Sequence, residues 1–222
     1  MRRHVAEFPD ARVVLNMRSG SWALKLPFLQ EVVGHSLRSI YLVRDPRAWI
    51  YLMLYNSKPS LYSLKNIPQH LSLIFKDDAV REGCPSVAPE FKTIQSVLSR
   101  SEANPALVLA HLWLAHTAAV LRVNEGLPEE SYLQVRFEDV VNFPQETAET
   151  IHTFLGVPLS PAALNQLLFT TSTNLYNLMY EGDISPTNIN MWRQNMPRKD
   201  IRLIEDVCGG VMKRLGYTRL AS

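Results

Sequence analysis

Cysteine is scarce in this 222-residue chain, with only Cys84 and Cys208 present. Two distant thiols and six scattered histidines cannot supply a zinc-type ligand cluster. They leave two readings open: one disulfide in an oxidising compartment, or two buried thiols. Glycine is sparse as well, nine residues against fourteen scattered prolines. With 46% hydrophobic residues, that excludes a disordered or low-complexity chain and leaves enough apolar side chains for a real core. An excess of one charge is also lacking: 23 Lys and Arg against 21 Asp and Glu leave +2. This is far from the cationic field of a dedicated nucleic-acid binder, yet it allows an anionic small molecule or polysaccharide. No apolar segment follows the basic start "MRRHVAEFPDARVVLN", so no signal peptide or other targeting signal is legible. The longest uncharged run, Ala103 to Leu121, approaches membrane-spanning length. His111, His116 and Thr117 interrupt it and Pro105 sits near its start, so a buried amphipathic helix is expected instead.

What is present alternates in type. "RVVLNM" (Arg12–Met17) reads as a strand, Trp22–Val33 as a helix, and "RSIYLVRD" (Arg38–Asp45) as a strand again. A helix over Pro46–Ser57 follows, with proline at its first position. Near-continuous apolar strands joined by helices predict an α/β fold with a buried, mostly parallel sheet. Further helices are expected over Pro89–Ser101 and Pro105–Glu125. "SYLQVRFEDV" reads as another buried strand running into an acidic turn. Pro144 and Gly156 bracket a helix, Ser160 and Pro161 open the next, and Thr170–Met196 reads as a long loop. The last helix ends at Gly216 with Lys213 and Arg214 in its final turn.

Two segments could hold a phosphate. The first, "NMRSGSWALKLP", has a small-residue turn between strand and helix, the arrangement that offers backbone N–H groups to an anion. Gly20 stands there without a second glycine, which makes a poor nest for several phosphate oxygens, and Lys25 lies up the helix. The second is "IYLVRDPRA", where Arg44 ends a strand, Asp45 is placed to cap a helix and Pro46 begins it. An arginine fork at the carboxyl end of a parallel strand suits bidentate contact with a phosphate. The alternative is a strand-end ion pair with a helix cap.

The run "VRDPRA" after an apolar strand resembles the 3′-phosphate-binding segment of carbohydrate sulfotransferases, which use 3′-phosphoadenosine 5′-phosphosulfate (PAPS). "YLQVRFEDVVNFPQETAETIHTFLGV" is similar to that family's Arg-Tyr/Phe-Glu-Asp turn and following helix. "MWRQNMPRKDIRLIEDVCGGVMKRLGY" is similar to its Trp-Arg segment and closing helix. Stretches such as "RSGSWALKLPFLQ" and "FTTSTNLYNLMYEGDISPTN" look like the C-terminal sulfotransferase-like domains of dermatan-sulfate epimerase-like proteins.

The resemblance implies a P-loop-NTPase-like sulfotransferase fold, with residues 1–222 forming one domain that holds the C-terminal part of the family fold. It implies PAPS as sulfate donor without a metal, and a glycosaminoglycan chain, chondroitin or dermatan, as acceptor. It also implies a lumenal Golgi or endoplasmic-reticulum setting and an upstream epimerase domain as neighbour.

Carried over residue by residue, Arg44 matches the 3′-phosphate arginine, with Asp45 and Arg47 in the same segment. Trp192 and Arg193 match the segment that approaches the nucleotide, as indole packing over adenine or ribose and a second positive charge; the alternative is that Trp192 belongs to the core and Arg193 is a surface charge. Arg18 is placed to face the acceptor cleft. Arg136, Glu138 and Asp139 read as a structural turn with Arg136 ion-paired.

Two departures bear on activity. Leu52 stands eight positions after Arg44, where the family usually has a serine hydroxyl on the same phosphate. Losing that bond should cost about 1.5–3 kcal/mol, roughly one to two decades in affinity. The 26 positions from Arg18 to Arg44 hold only one strand–helix–strand unit, so the loop for the 5′-phosphosulfate is expected upstream of Met1. No general base stands out: His35, His70, His111 and His116 all read as structural or solvated, and the catalytic residues stay unassigned. The expectation is a sulfotransferase-family domain weakly active or inactive alone. The alternative is a non-catalytic module that binds nucleotide or glycosaminoglycan.

Overall fold

The computed structural model describes residues 26–34, 37–56, 96, 104–172 and 189–220. The strand expected at Arg12–Met17, the turn expected with Arg18, His35, His70 and Cys84 lie outside them, as do nearly all of 89–101 and residues 173–188 of the expected loop.

Helix α1 (Leu26–Val33) precedes strand β1 (Ser39–Val43). Strand β2 (Tyr132–Arg136) lies parallel to β1, with Ser39 opposite Tyr132 and Val43 opposite Arg136. Parallel strands need a long crossover, and the chain between these two carries helices α2 (Pro46–Tyr51) and α3 (Pro105–Glu125). Helix α2 starts directly at the end of β1. Pro46 takes a position where a missing N–H does no harm, and Asp45 Oδ1 accepts from the Arg47 amide at 2.8 Å.

Beyond Tyr51 the winding widens into a π turn over Leu52–Asn56, where the sequence predicts continued α-helix. Tyr51 and Tyr55 stack at 5.8 Å, and the Tyr55 hydroxyl donates to Asp200 at 2.6 Å, which ties the turn to the last helix.

Helix α3 keeps the bounds the sequence predicts. Asn104 caps it through the Ala106 amide at 2.8 Å, and the chain leaves it at Gly126. By length and composition it could cross a membrane, but more than half of that stretch is buried within the protein. Leu109, Ala110 and Trp113 lie in the main core.

After β2 the chain forms α4 (Phe137–Asn142), a short helix where the sequence predicts an acidic turn. Helix α5 (Pro144–Leu155) ends at Gly156, whose φ of 63° is the left-handed conformation that glycine tolerates best. Helix α6 (Pro161–Ser172) is capped by Ser160, which accepts from the Ala163 amide at 3.1 Å. Helices α7 (Trp192–Asn195) and α8 (Arg198–Arg214) complete the order, and α7 occupies part of the segment predicted as loop.

Helices α3 and α8 pack against each other with α2 beside them. Ile201, Ile204, Cys208 and Met212 line the buried face of α8, each at 1% exposure or less. Burying such a side chain is worth about 1.5–3 kcal/mol, so this seam anchors the strand ends above it. Cys208 is a free thiol that donates to the Ala110 carbonyl at 3.4 Å, and burial pushes its pKa up to about 12.

Candidate anion site at the strand ends

Because β1 and β2 run parallel and in register, their exits lie on one edge. That edge is where open parallel sheets bind ligands. β1 leaves through Val43, Arg44 and Asp45, and β2 through Arg136, Phe137, Glu138 and Asp139. The backbone of the first exit is held by side chains from elsewhere. Trp113 Nε1 on α3 donates to the Arg44 carbonyl at 3.1 Å, and the Asp45 amide donates to Glu138 Oε1 at 3.0 Å. The Tyr217 hydroxyl donates to Glu138 Oε2 at 2.9 Å and lies 3.5 Å from the Val43 carbonyl. Gly216, at a φ of 81°, turns the chain just before Tyr217.

Three arginines crowd this edge with different partners. Arg47 is 1% exposed. It donates from Nε and Nη2 to the two Asp45 oxygens at 3.0 and 2.7 Å, and from Nη1 to Glu205 at 2.5 Å and the Thr218 carbonyl at 2.9 Å. Burial alone would lower the pKa of Arg47, but Asp45 and Glu205 together outweigh it and raise the value. Arg136 makes a bidentate pair with Asp139 at 2.8 and 2.6 Å, as the sequence predicts. Its guanidinium also lies 5.9 Å from the Tyr217 ring.

Arg44 differs from both. Its guanidinium carbon sits 4.5 Å over the Phe137 ring, and its buried Nε has no hydrogen-bond partner among the described residues. Burial lowers its pKa, Glu138 and Asp45 oppose that shift, and a guanidinium remains protonated regardless. A buried donor without a partner costs about 1–3 kcal/mol, a cost an anionic oxygen would remove. The Tyr217 pKa is raised, first by burial and then by Glu138, so its hydroxyl stays a neutral donor.

The structure therefore brings Arg44, Asp45 and Arg47 together but divides their roles. Arg44 is the fork with free hydrogen-bonding capacity. Asp45 caps α2 and holds Arg47. Arg47 has four hydrogen bonds inside the protein, so the nucleotide contact expected of it is replaced by an internal one. Trp192 is likewise 1% exposed, with the Arg47 and Arg193 guanidinium carbons 4.2 and 4.7 Å from its ring centre. An indole that deep offers no open face to an adenine. Arg193 is exposed and donates to Asn190 Oδ1 at 3.1 Å. Arg18, the expected acceptor contact, lies outside the described residues.

Sequence reasoning did not find Glu138, Tyr217 and Trp113 as partners of the strand exit. The signal for the first two was their place in the quoted Phe-Glu-Asp and Leu-Gly-Tyr stretches. The arrangement fits one phosphate-like group on Arg44. His111 and His116 sit on α3, and both have interactions of their own.

Comparison with known proteins bears on the family and the fold. The family described as "Sulfotransferase domain" matches residues 24–216. Carbohydrate sulfotransferase 3 of Tetronarce californica is 26% identical over 204 residues, 87% of this chain and 39% of that protein. Carbohydrate sulfotransferase 5 of Mus musculus is 22% identical over 202 residues, 84% of this chain and 43% of that protein. The chain thus spans about two fifths of the length of these curated relatives. Among solved structures, the sulfotransferase domain from the curacin biosynthetic pathway superposes with a TM-score of 0.56, covering 98% of this chain and 67% of that one. At 18% identity that likeness speaks for the fold alone. The chain has the sulfotransferase fold and belongs to the sulfotransferase domain family.

Proposed function

We propose that this domain takes the 3′-phosphate of PAPS on Arg44 and serves sulfate transfer to a sugar hydroxyl of a glycosaminoglycan, chondroitin or dermatan in type. The observation that carries the reading is the buried, unpartnered Nε of Arg44 at the exit of a parallel strand. Its fork is left open because Asp45 is bound by Arg47 while Glu138 holds the Asp45 amide and the Tyr217 hydroxyl. The relatives named as carbohydrate sulfotransferases support a sugar as acceptor.

PAPS, when bound, supplies the sulfuryl group. The chain's own contribution is binding and orientation. Arg44 grips one phosphate in two directions, Asp45 and Arg47 fix the first turn of α2, and Trp113 and Glu138 fix the peptide that carries Arg44. A lumenal Golgi or endoplasmic-reticulum setting, with an epimerase domain upstream, completes the proposal.

A second reading has its own support: a module that binds nucleotide or glycosaminoglycan without catalysis. Leu52 stands where the resembled family has a phosphate-binding hydroxyl. The carboxylates at the strand exits are already engaged, Asp45 by Arg47, Glu138 by the Asp45 amide and Tyr217, and Asp139 by Arg136. For that reason we propose that this chain alone transfers sulfate weakly or not at all.

Radiolabelled sulfate transfer from PAPS to desulfated chondroitin and dermatan tests both readings, using this chain and a version extended upstream. The expected result is transfer by the extended protein, reduced at least about tenfold by Arg44→Ala. Transfer indifferent to Arg44→Ala would remove Arg44 from the site. No transfer by the extended protein, with nucleotide still bound, would leave the binding module.

A further inference from the structure

We propose that Glu138 is a positioning residue for Arg44, a latch that sets the direction in which its guanidinium leaves the strand. This rests on the reading of Arg44 as the anion contact. The peptide unit between Arg44 and Asp45 belongs to neither β1 nor α2, so neither ladder fixes it. Both of its polar groups are instead held by side chains from separate elements. The Arg44 carbonyl accepts from Trp113 of α3 at 3.1 Å, and the Asp45 amide donates to Glu138 of α4 at 3.0 Å. Pinning the peptide plane at both ends fixes the Cα–C bond of Arg44, and with β1 holding the N-terminal side of that Cα the line along which the side chain departs is set as well.

Glu138 is itself anchored. Its second oxygen accepts from the Tyr217 hydroxyl at 2.9 Å, and that hydroxyl lies 3.5 Å from the Val43 carbonyl. The closing Leu-Gly-Tyr turn and both strand exits therefore meet on one carboxylate. Bonds to a carboxylate are stronger than bonds between neutral groups, which suits a latch.

The charge of Glu138 makes this more than ordinary packing. A carboxylate beside Arg44 lowers the local attraction for an anion, so by electrostatics alone any neutral replacement should tighten binding. A latch predicts a different pattern. Gln keeps an oxygen for the Asp45 amide, whereas Ala does not.

The test is a calorimetric titration of the whole chain with adenosine 3′,5′-bisphosphate, wild type against Glu138→Gln and Glu138→Ala. It is paired with hydrogen exchange at the Asp45 amide, measured without ligand. Glu138→Ala should weaken binding by about tenfold and speed exchange at Asp45, while Glu138→Gln should stay within about threefold of wild type in both. Unchanged or tighter binding by the Ala variant would overturn the proposal, as would equal weakening in both.

If Glu138→Ala does not fold, Tyr217→Phe takes its place. It removes only the hydroxyl that steadies Glu138, and it should weaken binding severalfold and speed Asp45 exchange. Unchanged values would overturn the latch. A wild-type chain that binds no nucleotide would sink the Arg44 reading instead. The latch would then stand or fall on exchange alone, and equal Asp45 exchange in all variants would refute it.

Discussion

Arg47 grips Asp45 through two hydrogen bonds, Nε to Oδ1 at 3.0 Å and Nη2 to Oδ2 at 2.7 Å. In doing so it occupies one of the two carboxylates beside Arg44. Two arginines three positions apart, in a segment that reads as one motif, thus have opposite roles. One is consumed by the fold, and the other is kept open by it.

Removing Arg47 should harm stability first. Arg47→Met leaves Asp45 and Glu205 buried without their cation and the Thr218 carbonyl without its donor. Breaking a buried pair from one side costs about 3–5 kcal/mol. Urea denaturation should show that loss, and Arg47→Lys should recover only part of it, since an ammonium cannot replace a planar fork. A loss under about 1 kcal/mol for Arg47→Met would contradict the assignment.

The buried thiol of Cys208 predicts an alkaline limit. Its pKa is pushed by burial from an ordinary 9.0 to about 12, so the folded chain keeps the proton that the unfolded chain releases. Between those values the unfolded state binds fewer protons, and stability must fall as pH rises. Tyr132, moved by burial from 10.0 to about 12, acts in the same direction over the upper part of the window. Thermal melts should be flat in this respect below pH 9 and fall above it. Peptide mapping after iodoacetamide should find Cys208 unmodified at pH 8 in the folded chain and modified in urea. Rapid labelling of Cys208 in the folded chain would contradict its burial.

Two adjacent glycines in α8 should respond differently to alanine. A Cβ at Gly210 meets nothing within 4 Å among the described residues, so Gly210→Ala should gain most of the helix-propensity difference, about 0.5–1 kcal/mol. A Cβ at Gly209 would lie 2.6 Å from Arg219 Nη2 and displace the guanidinium that donates to the Glu205 carbonyl at 2.8 Å. Gly209→Ala should therefore gain less, or nothing. Urea midpoints measured side by side decide it, and a larger gain at Gly209 would contradict the packing of the C-terminal turn.

Much of the fold was legible because local signals set it. Pro105 and Gly126 bracket α3, Pro144 and Gly156 bracket α5, and the apolar run before Arg44 marks β1. The π turn at Leu52 was not legible. The contact it accompanies, Tyr55 to Asp200, joins residues 145 positions apart, and local periodicity carries no trace of it. The site divides along the same line. Arg44 could be singled out by its place at a strand end, and Arg136 as ion-paired by the acidic Glu138 and Asp139 that follow it. Arg47 and Trp192 lie in segments matched to nucleotide contacts, and long-range partners reveal their inward role, Glu205 for one and Arg47 for the other. Glu138 escaped notice as a site residue for the same reason, because its bond to the Asp45 amide spans 93 positions.

The most direct measurement is a calorimetric titration with adenosine 3′,5′-bisphosphate of the wild-type chain and of Arg44→Ala. Arg44→Ala gives up the stacking on Phe137 and relieves a buried Nε that has no partner among the described residues, two opposing effects, so the variant should fold, which a thermal melt checks. Heat of binding is expected in the wild type, and in Arg44→Ala its loss, by about tenfold or more in affinity. Binding of equal strength by a folded Arg44→Ala chain would contradict it.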